Sequence, residues 1–270
     1  MLASHRSRTA ANSAGYLLEH LGPGMRILDI GSGPGTITCD LAEIVAPGGG
    51  RVTAVEISDA ALDLTRREAA KRGVRNLDLM VGDIHRLDLP NDGFDVVHAH
   101  QVLQHVPNPV AALREMIRVA RAGGIVAARD SDYAAFTWFP DEPALTRWLA
   151  LYDQLARQAG GEPNAGRHYR RWARAAGLID VTITSSSWCY ADDNSVDWWA
   201  GVWAERVLAS DFRSRAEGAG VRLDELEGLS RGWRRWAGHP DALFTVPSVE
   251  LLAVTDPPAQ RSTSDIIDSL

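Results

Sequence analysis

Three groups of residues in this 270-residue sequence could do chemistry. The first is the glycine-rich stretch Asp29-Ile30-Gly31-Ser32-Gly33-Pro34-Gly35-Thr36. Gly31, Gly33 and Gly35 permit backbone torsions closed to other residues and carry no side chain to hold a ligand away. A helix opening at Thr36 would present unpaired N–H groups and partial positive charge, which suits a carboxylate or phosphate. The second group is acidic. Glu56 stands twenty-one residues after Gly35, about where a nucleotide-binding βαβ unit places its ribose-binding carboxylate. Asp83, in Gly82-Asp83-Ile84, would by itself be read as a turn residue. The third group is His98, His100 and His105, with Gln101 beside them. Imidazole titrates near neutral pH, so His100 and His105 are the candidate general bases. His98 and His100 alone do not supply a metal site, and no metal is expected.

The elements that must position these groups follow from periodicity. Ile27, Leu28 and Ile30 read as a short buried strand feeding the glycine turn, and Ile37, Leu41, Ile44 and Val45 as the following helix. Arg51 to Val55 is a second strand, Ser58 or Asp59 caps a helix through Lys71, and Leu77 to Val81 is a third strand. Phe94 to His98 suits a fourth strand in a buried parallel sheet. His100 and Gln101 would then lie at its carboxyl end, where such sheets bind ligands. Ahead of the glycine turn, Asn12-Ser13 is a plausible start for a helix bearing Tyr16, Leu17, Leu18 and Leu21, ended by Gly22-Pro23-Gly24. Past a fifth strand, Tyr133, Phe136, Trp138 and Phe139 form an aromatic loop. Helices over 143–159 and 165–176, a sixth strand over 181–190 and a seventh over 243–254 complete the pattern. Between the last two strands, Trp198, Trp199, Trp203, Trp233 and Trp236 mark a helical insertion.

With Asp29-x-Gly31-x-Gly33-x-Gly35, Gly82-Asp83-Ile84, Phe94-Asp95-Val96-Val97 and Gly123-Gly124-Ile125, the chain resembles the class I S-adenosylmethionine-dependent methyltransferases. Within them it looks like methyltransferase type 11, the group of ubiquinone/menaquinone C-methyltransferases, over roughly residues 25–130. The resemblance implies an α/β fold: a seven-stranded Rossmann-like sheet with helices on both faces and a helical cap between strands six and seven. Together with the element pattern beyond residue 130, this divides the chain into an N-terminal helical lid (1–24), a cofactor-binding core (25–190 and 243–255), a cap (191–242) and a flexible tail (256–270). It implies S-adenosylmethionine as cofactor, held by Asp29, Gly31, Ser32, Gly33, Gly35, Glu56, Ile57, Gly82, Asp83, Ile84, His100 and Gln101. Asp83 would read the adenine amino group. The expected acceptor pocket comprises Tyr16, Tyr133, Phe136, Trp138, Trp199 and Trp203, with Trp138 preferred over Trp203. Ser4 to Thr9, His98 to His105 and Phe136-Thr137-Trp138 also look like fungal thiol methyltransferases of the gliotoxin type, which would imply a thiol or dithiol acceptor.

Composition narrows the partners. Hydrophobic residues at 45% and charged residues at 23% are globular values. A net charge of −7 argues against a nucleic-acid surface, and only His5, Arg6 and Arg8 form a small basic patch. Cys39 and Cys189 are too few for a disulfide framework. Without a signal-peptide core or an apolar run long enough to span a bilayer, a cytoplasmic protein acting on a small molecule away from membranes is the expectation. Two rival readings share the half-fold: a nicotinamide oxidoreductase, and a non-catalytic S-adenosylmethionine-binding protein. Against the first stand the Gly-x-Gly-x-Gly spacing and the lack of a Tyr-x-x-x-Lys pair, Lys71 being the only lysine.

Overall fold

The computed structural model describes residues 7–255, so His5, Arg6 and the tail from 256 lie outside the described residues. Its strands are β1 (Arg26–Ile30), β2 (Arg51–Glu56), β3 (Leu77–Val81), β4 (Phe94–His100), β5 (Ala120–Ser131), β6 (Thr137–Phe139), β7 (Val181–Tyr190) and β8 (Leu243–Val254). The first five are parallel, in the order β3-β2-β1-β4-β5. Chain direction across the sheet therefore reverses beside β1, and the crevice at the carboxyl ends of β1 and β4 is where such a sheet takes its ligand.

The three-residue β6 is an addition to the seven strands expected. Antiparallel β8 pairs with β5 from Ile125↔Val254 to Ser131↔Ser248, while β7 takes the opposite edge of β8 along its length. β6 pairs with Leu243 to Thr245, beyond the end of β5. It prolongs β5 along β8 after a short turn, so the aromatic stretch after β5 returns to the sheet.

The helices are α1 (Ala10–Ser13), α2 (Gly15–Leu18), α3 (Thr36–Val45), α4 (Asp59–Arg72), α5 (Pro109–Val119), α6 (Pro143–Gln158), α7 (Tyr169–Ala176), α8 (Asp193–Arg206), α9 (Ser210–Gly218) and α10 (Leu223–Ala237). The single N-terminal helix expected from Asn12 is replaced by α1 and α2. Thr9 accepts from the Asn12 amide while the Asn12 side chain accepts from the Thr9 amide, a reciprocal cap that starts α1 three residues early.

Strand alternation sorts the parallel core into two layers. Ile27, Val52, Val96 and Ala127 face the layer with Leu17, Leu41 and Val45. Leu28, Val97, Val126 and Ala128 face the layer with Leu113, Met116 and Tyr169. A third cluster lies under α6, α8, α9 and α10. Trp148 of α6 packs edge-on against Trp203 at 4.4 Å and Trp233 at 4.9 Å, and Phe244 of β8 touches the same group. Residues 143–158, which the sequence groups with the sheet, thus share this aromatic cluster. β8 ties the two together, with Phe244 and Val246 in the aromatic cluster and Leu251 and Ala253 in the sheet core.

Trp148 is fully buried among aromatic rings. Trp148→Ala should cost about 3–5 kcal/mol of unfolding free energy in denaturant titration. A loss under about 1 kcal/mol would show that the third cluster does not cooperate with the rest, since a surface change costs that little.

Candidate functional site

The glycine turn is built by packing on α4. Thr65 donates its hydroxyl to the Gly33 carbonyl at 2.9 Å and lies 2.9 Å from the Ser32 hydroxyl, so Ser32 is spent inside the turn. Gly35 adopts φ +82°, and a Cβ there would sit 2.7 Å from the Thr65 backbone. Gly33, at φ +55°, is different, because a Cβ would meet nothing within 4 Å and would project into open space. Gly35 closes the turn against the protein, while Gly33 leaves room for something else.

That room is a cleft of about 380 Å³ at the ends of β1, β2, β3 and β4. Its wall brings together Asp29, Gly31, Ser32, Gly33, Glu56, Ile57, Gly82, Asp83, Ile84, His100 and Gln101, which is every expected cofactor residue except Gly35. Gly35 instead caps α3, whose first residues Thr36 and Ile37 reach the cleft. Three carboxylates border this space. Glu56 accepts from the Gly33 amide at 2.7 Å and bridges β2 to the turn. Asp83 is held below the usual carboxylate range, first by the His85 amide and then by the His85 ring at 2.8 Å. Asp29 is buried, accepting from the Thr38 hydroxyl at 2.6 Å and contacting His98 Nδ1 at 2.7 Å. His98 is therefore a buried structural partner of the turn. Among the described residues, no group of three or more His, Cys, Asp or Glu stands together as a metal site.

A second cavity, of about 250 Å³, opens beside the first beneath the aromatic helices. Tyr133, Phe136, Trp199 and Trp203 line it as expected. Trp138 and Tyr16 do not. Trp138 is carried onto β8 by β6 and stacks on Phe244 at 5.9 Å, which reverses the preference for Trp138 over Trp203. Tyr16 has a buried hydroxyl without a hydrogen-bond partner, and the charges that act on it most are Glu250, Arg129, Asp130 and Asp29. Burial first, then those carboxylates, push its ionisation well above the usual range.

Arg8, Gln101 and His105 line both spaces. Gln101 has φ +54°, an uncommon conformation for a residue with a side chain. Its amide donates to Arg129 O at 2.7 Å, its Nε2 donates to Ser131 at 2.9 Å, and its Oε1 accepts from Arg8 at 2.5 Å. His105 lines the cavity while part of it stays open to solvent, and its basicity is lowered by desolvation first and then by Arg206, Arg8 and Arg215. Its Nε2 lies 3.0 Å from the Gln104 amide nitrogen. His100 is buried on the cleft side, its ring 6.1 Å from Trp188, and does not reach the aromatic cavity. Sequence reasoning missed Arg206 and Arg215, and it saw Arg8 only as part of a basic patch. The 93 residues between Arg8 and Gln101 leave no local signal for their contact.

A glycine turn between strand and helix, with carboxylates at the ends of the next two strands, defines a Rossmann-like nucleotide cofactor site. The chain belongs to the methyltransferase family: the family described as "Methyltransferase domain" matches residues 21–177. An uncharacterized methyltransferase of Schizosaccharomyces pombe is 34% identical over 86% of this chain and 85% of its own. The ubiquinone/menaquinone C-methyltransferase UbiE of Ectopseudomonas mendocina is 37% identical over 40% of this chain, spanning 42% of the relative. The YcgJ protein of Bacillus subtilis shares the fold with a TM-score of 0.59 at 15% identity, covering 90% of this chain and 97% of the other. It is a class I S-adenosylmethionine-dependent methyltransferase, and S-adenosylmethionine is its cofactor.

The cleft fits that cofactor on its own chemistry. Open space over Gly33 leaves room for the methionyl part, and the carboxylates of Glu56 and Asp83 can accept from ribose hydroxyls and an adenine amino group. Asp83→Ala should weaken S-adenosylhomocysteine binding by about 1–3 kcal/mol in calorimetry, the cost of an unpaired donor. Gly33→Val should abolish binding while the protein still melts cooperatively, because the branched side chain enters the open space and resists positive φ. Normal affinity in both folded variants would contradict the assignment.

Proposed function

We propose that the protein transfers a methyl group to a small acceptor held in the aromatic cavity, across the wall shared with the cofactor cleft. The observation that carries this reading is that Arg8, Gln101 and His105 border both spaces. When bound, S-adenosylmethionine supplies an activated methyl on a sulfonium sulfur. The protein's task is then to hold the acceptor in line and keep water away. Gln101, fixed through both ends of its amide, sets the wall between the two ligands. Tyr133 and Tyr152, stacked at 4.1 Å, and Trp203 form an apolar floor suited to a planar molecule.

Among the expected pair of bases, His105 is the one in reach of the acceptor, yet its basicity is suppressed. With desolvation and the nearby guanidinium groups of Arg206, Arg8 and Arg215 lowering its basicity, this imidazole is a weakened proton acceptor. We assign His105 to shaping and hydrogen-bonding the wall, so the acceptor must be a good nucleophile without its help. Soft or readily ionised groups, such as thiols, phenols and reduced quinones, meet that requirement.

Two measurements test this reading. Incubation with S-adenosylmethionine and a panel of thiols, phenols and hydroquinones should release S-adenosylhomocysteine faster with at least one acceptor than without any. Background release throughout would count against transfer to these classes. With an accepted substrate, His105→Gln should lower kcat less than about tenfold, whereas removal of a general base costs about 100- to 10,000-fold. The pH profile should show no loss attributable to this imidazole as pH falls from 8 to 6. A large kcat loss with an acid limb removed by the substitution would restore His105 as base.

A further inference from the structure

The two spaces carry opposite charge. The cofactor cleft is bordered by Asp29, Glu56 and Asp83, whereas among the described residues no acidic one lines the aromatic cavity, which holds the guanidinium groups of Arg8, Arg206 and Arg215. Among the described residues none of these three arginines forms a salt bridge, although most other arginines of the chain have a carboxylate partner. Arg8 is held down at about 10, chiefly by desolvation and also by Arg129 and Arg206, while Tyr133 and Tyr190 act in the other direction. The Nε atoms of Arg8 and Arg206 are buried without acceptors, as are the indole nitrogens of Trp199 and Trp203. Gln104 Oε1 is the buried acceptor left over on this wall. Arg206 lies over the Trp203 ring at 4.6 Å and Arg8 over Trp188 at 5.5 Å, so aromatic faces hold both guanidinium groups in place of an anion. Buried donors in such excess are costly unless a ligand supplies acceptors.

We propose that the acceptor is a small aromatic oxyanion, seated on Arg8, Arg206 and Arg215 with its ring against Tyr133 and Trp203. This deepens the methyl-transfer reading and rests on it. A carboxylate and an ionised phenol share the required chemistry: a planar apolar body with charge spread over oxygen, matched to guanidinium forks. Like charges gathered without partners disfavour the empty cavity and favour its anionic occupant. Arg206 and Arg215 are absent from the cofactor cleft, so their contribution separates from cofactor binding.

The test is calorimetry on the full chain saturated with S-adenosylhomocysteine, using two matched pairs. 2-Naphthoate is set against 2-naphthamide for a carboxylate, and 4-nitrophenol above its ionisation pH against 4-nitroanisole for a phenolate. In at least one pair the anion should bind about tenfold or more tightly than its neutral partner, and the pair that discriminates identifies the source of the charge. Arg206→Gln and Arg215→Gln should each remove most of that preference and leave S-adenosylhomocysteine affinity unchanged, with Arg206→Lys restoring part of it. Arg215 is exposed, so its substitution tests the proposal even where the Arg206 variant folds poorly. Equal affinity for anion and neutral partner in both pairs, or no binding of any of the four, would overturn the proposal. Failure of the wild-type protein to bind S-adenosylhomocysteine would instead overturn the methyl-transfer reading.

Discussion

The floor of the cofactor cleft depends on one buried carboxyl group. Asp29, at the end of β1, meets His98 of β4 and Thr38 of α3 at hydrogen-bond distance, and all three are buried. Two neighbouring strands and the helix that follows the glycine turn are therefore fixed to one side chain. Each of these bonds is worth about 1 kcal/mol net, but leaving any one partner unsatisfied costs about 1–3 kcal/mol. The arrangement is worth more for position than for stability. With Asp29 fixed, the turn leaves β1 beside the open cleft that Gly33 lines, and the first residues of α3, Thr36 and Ile37, line the same space.

From that floor the site divides by charge. Carboxylates at the ends of successive parallel strands line the cleft beside the glycine turn, and guanidinium groups from the N-terminal segment and the helices after β7 line the aromatic cavity. Arg8 belongs to a segment pinned at both ends of α1: the Ala10 amide donates to Asp40 on α3, and Trp188 on β7 donates to the Asn12 carbonyl. The N-terminal residues thus close the gap between the cofactor half of the sheet and its β7 edge. Gln101, held in a left-handed conformation, is the point where the two charge environments meet.

Much of the cofactor half was legible in the sequence because its signals are local. The short apolar run of Ile27, Leu28 and Ile30, the Gly31-x-Gly33-x-Gly35 spacing and the distance to Glu56 each reside within one βαβ unit, and the structure brings Ile30, Gly31, Gly33 and Glu56 to one wall. The aromatic half resisted reading for the opposite reason. A loop after β5 looked free to cover the cleft, but Thr137 to Phe139 finds unpaired backbone on β8 and turns Trp138 away. Arg8, Arg206 and Arg215 converge from three distant segments with no shared periodicity, so only the folded chain reveals them as a group. Asn12 was misread as a helix start because its capping bond to Thr9 is reciprocal, and a sequence alone does not tell which member leads.

The two spaces meet at the wall of Arg8, Gln101 and His105. A crystal structure of the protein with S-adenosylhomocysteine tests it most directly. Adenine should lie beside Asp83 and Ile84, ribose at Glu56, and the thioether sulfur at the opening toward Gln101, facing the aromatic cavity. Adenine bound elsewhere, or a sulfur pointing away from Gln101 with intact protein between it and Tyr133, would contradict it.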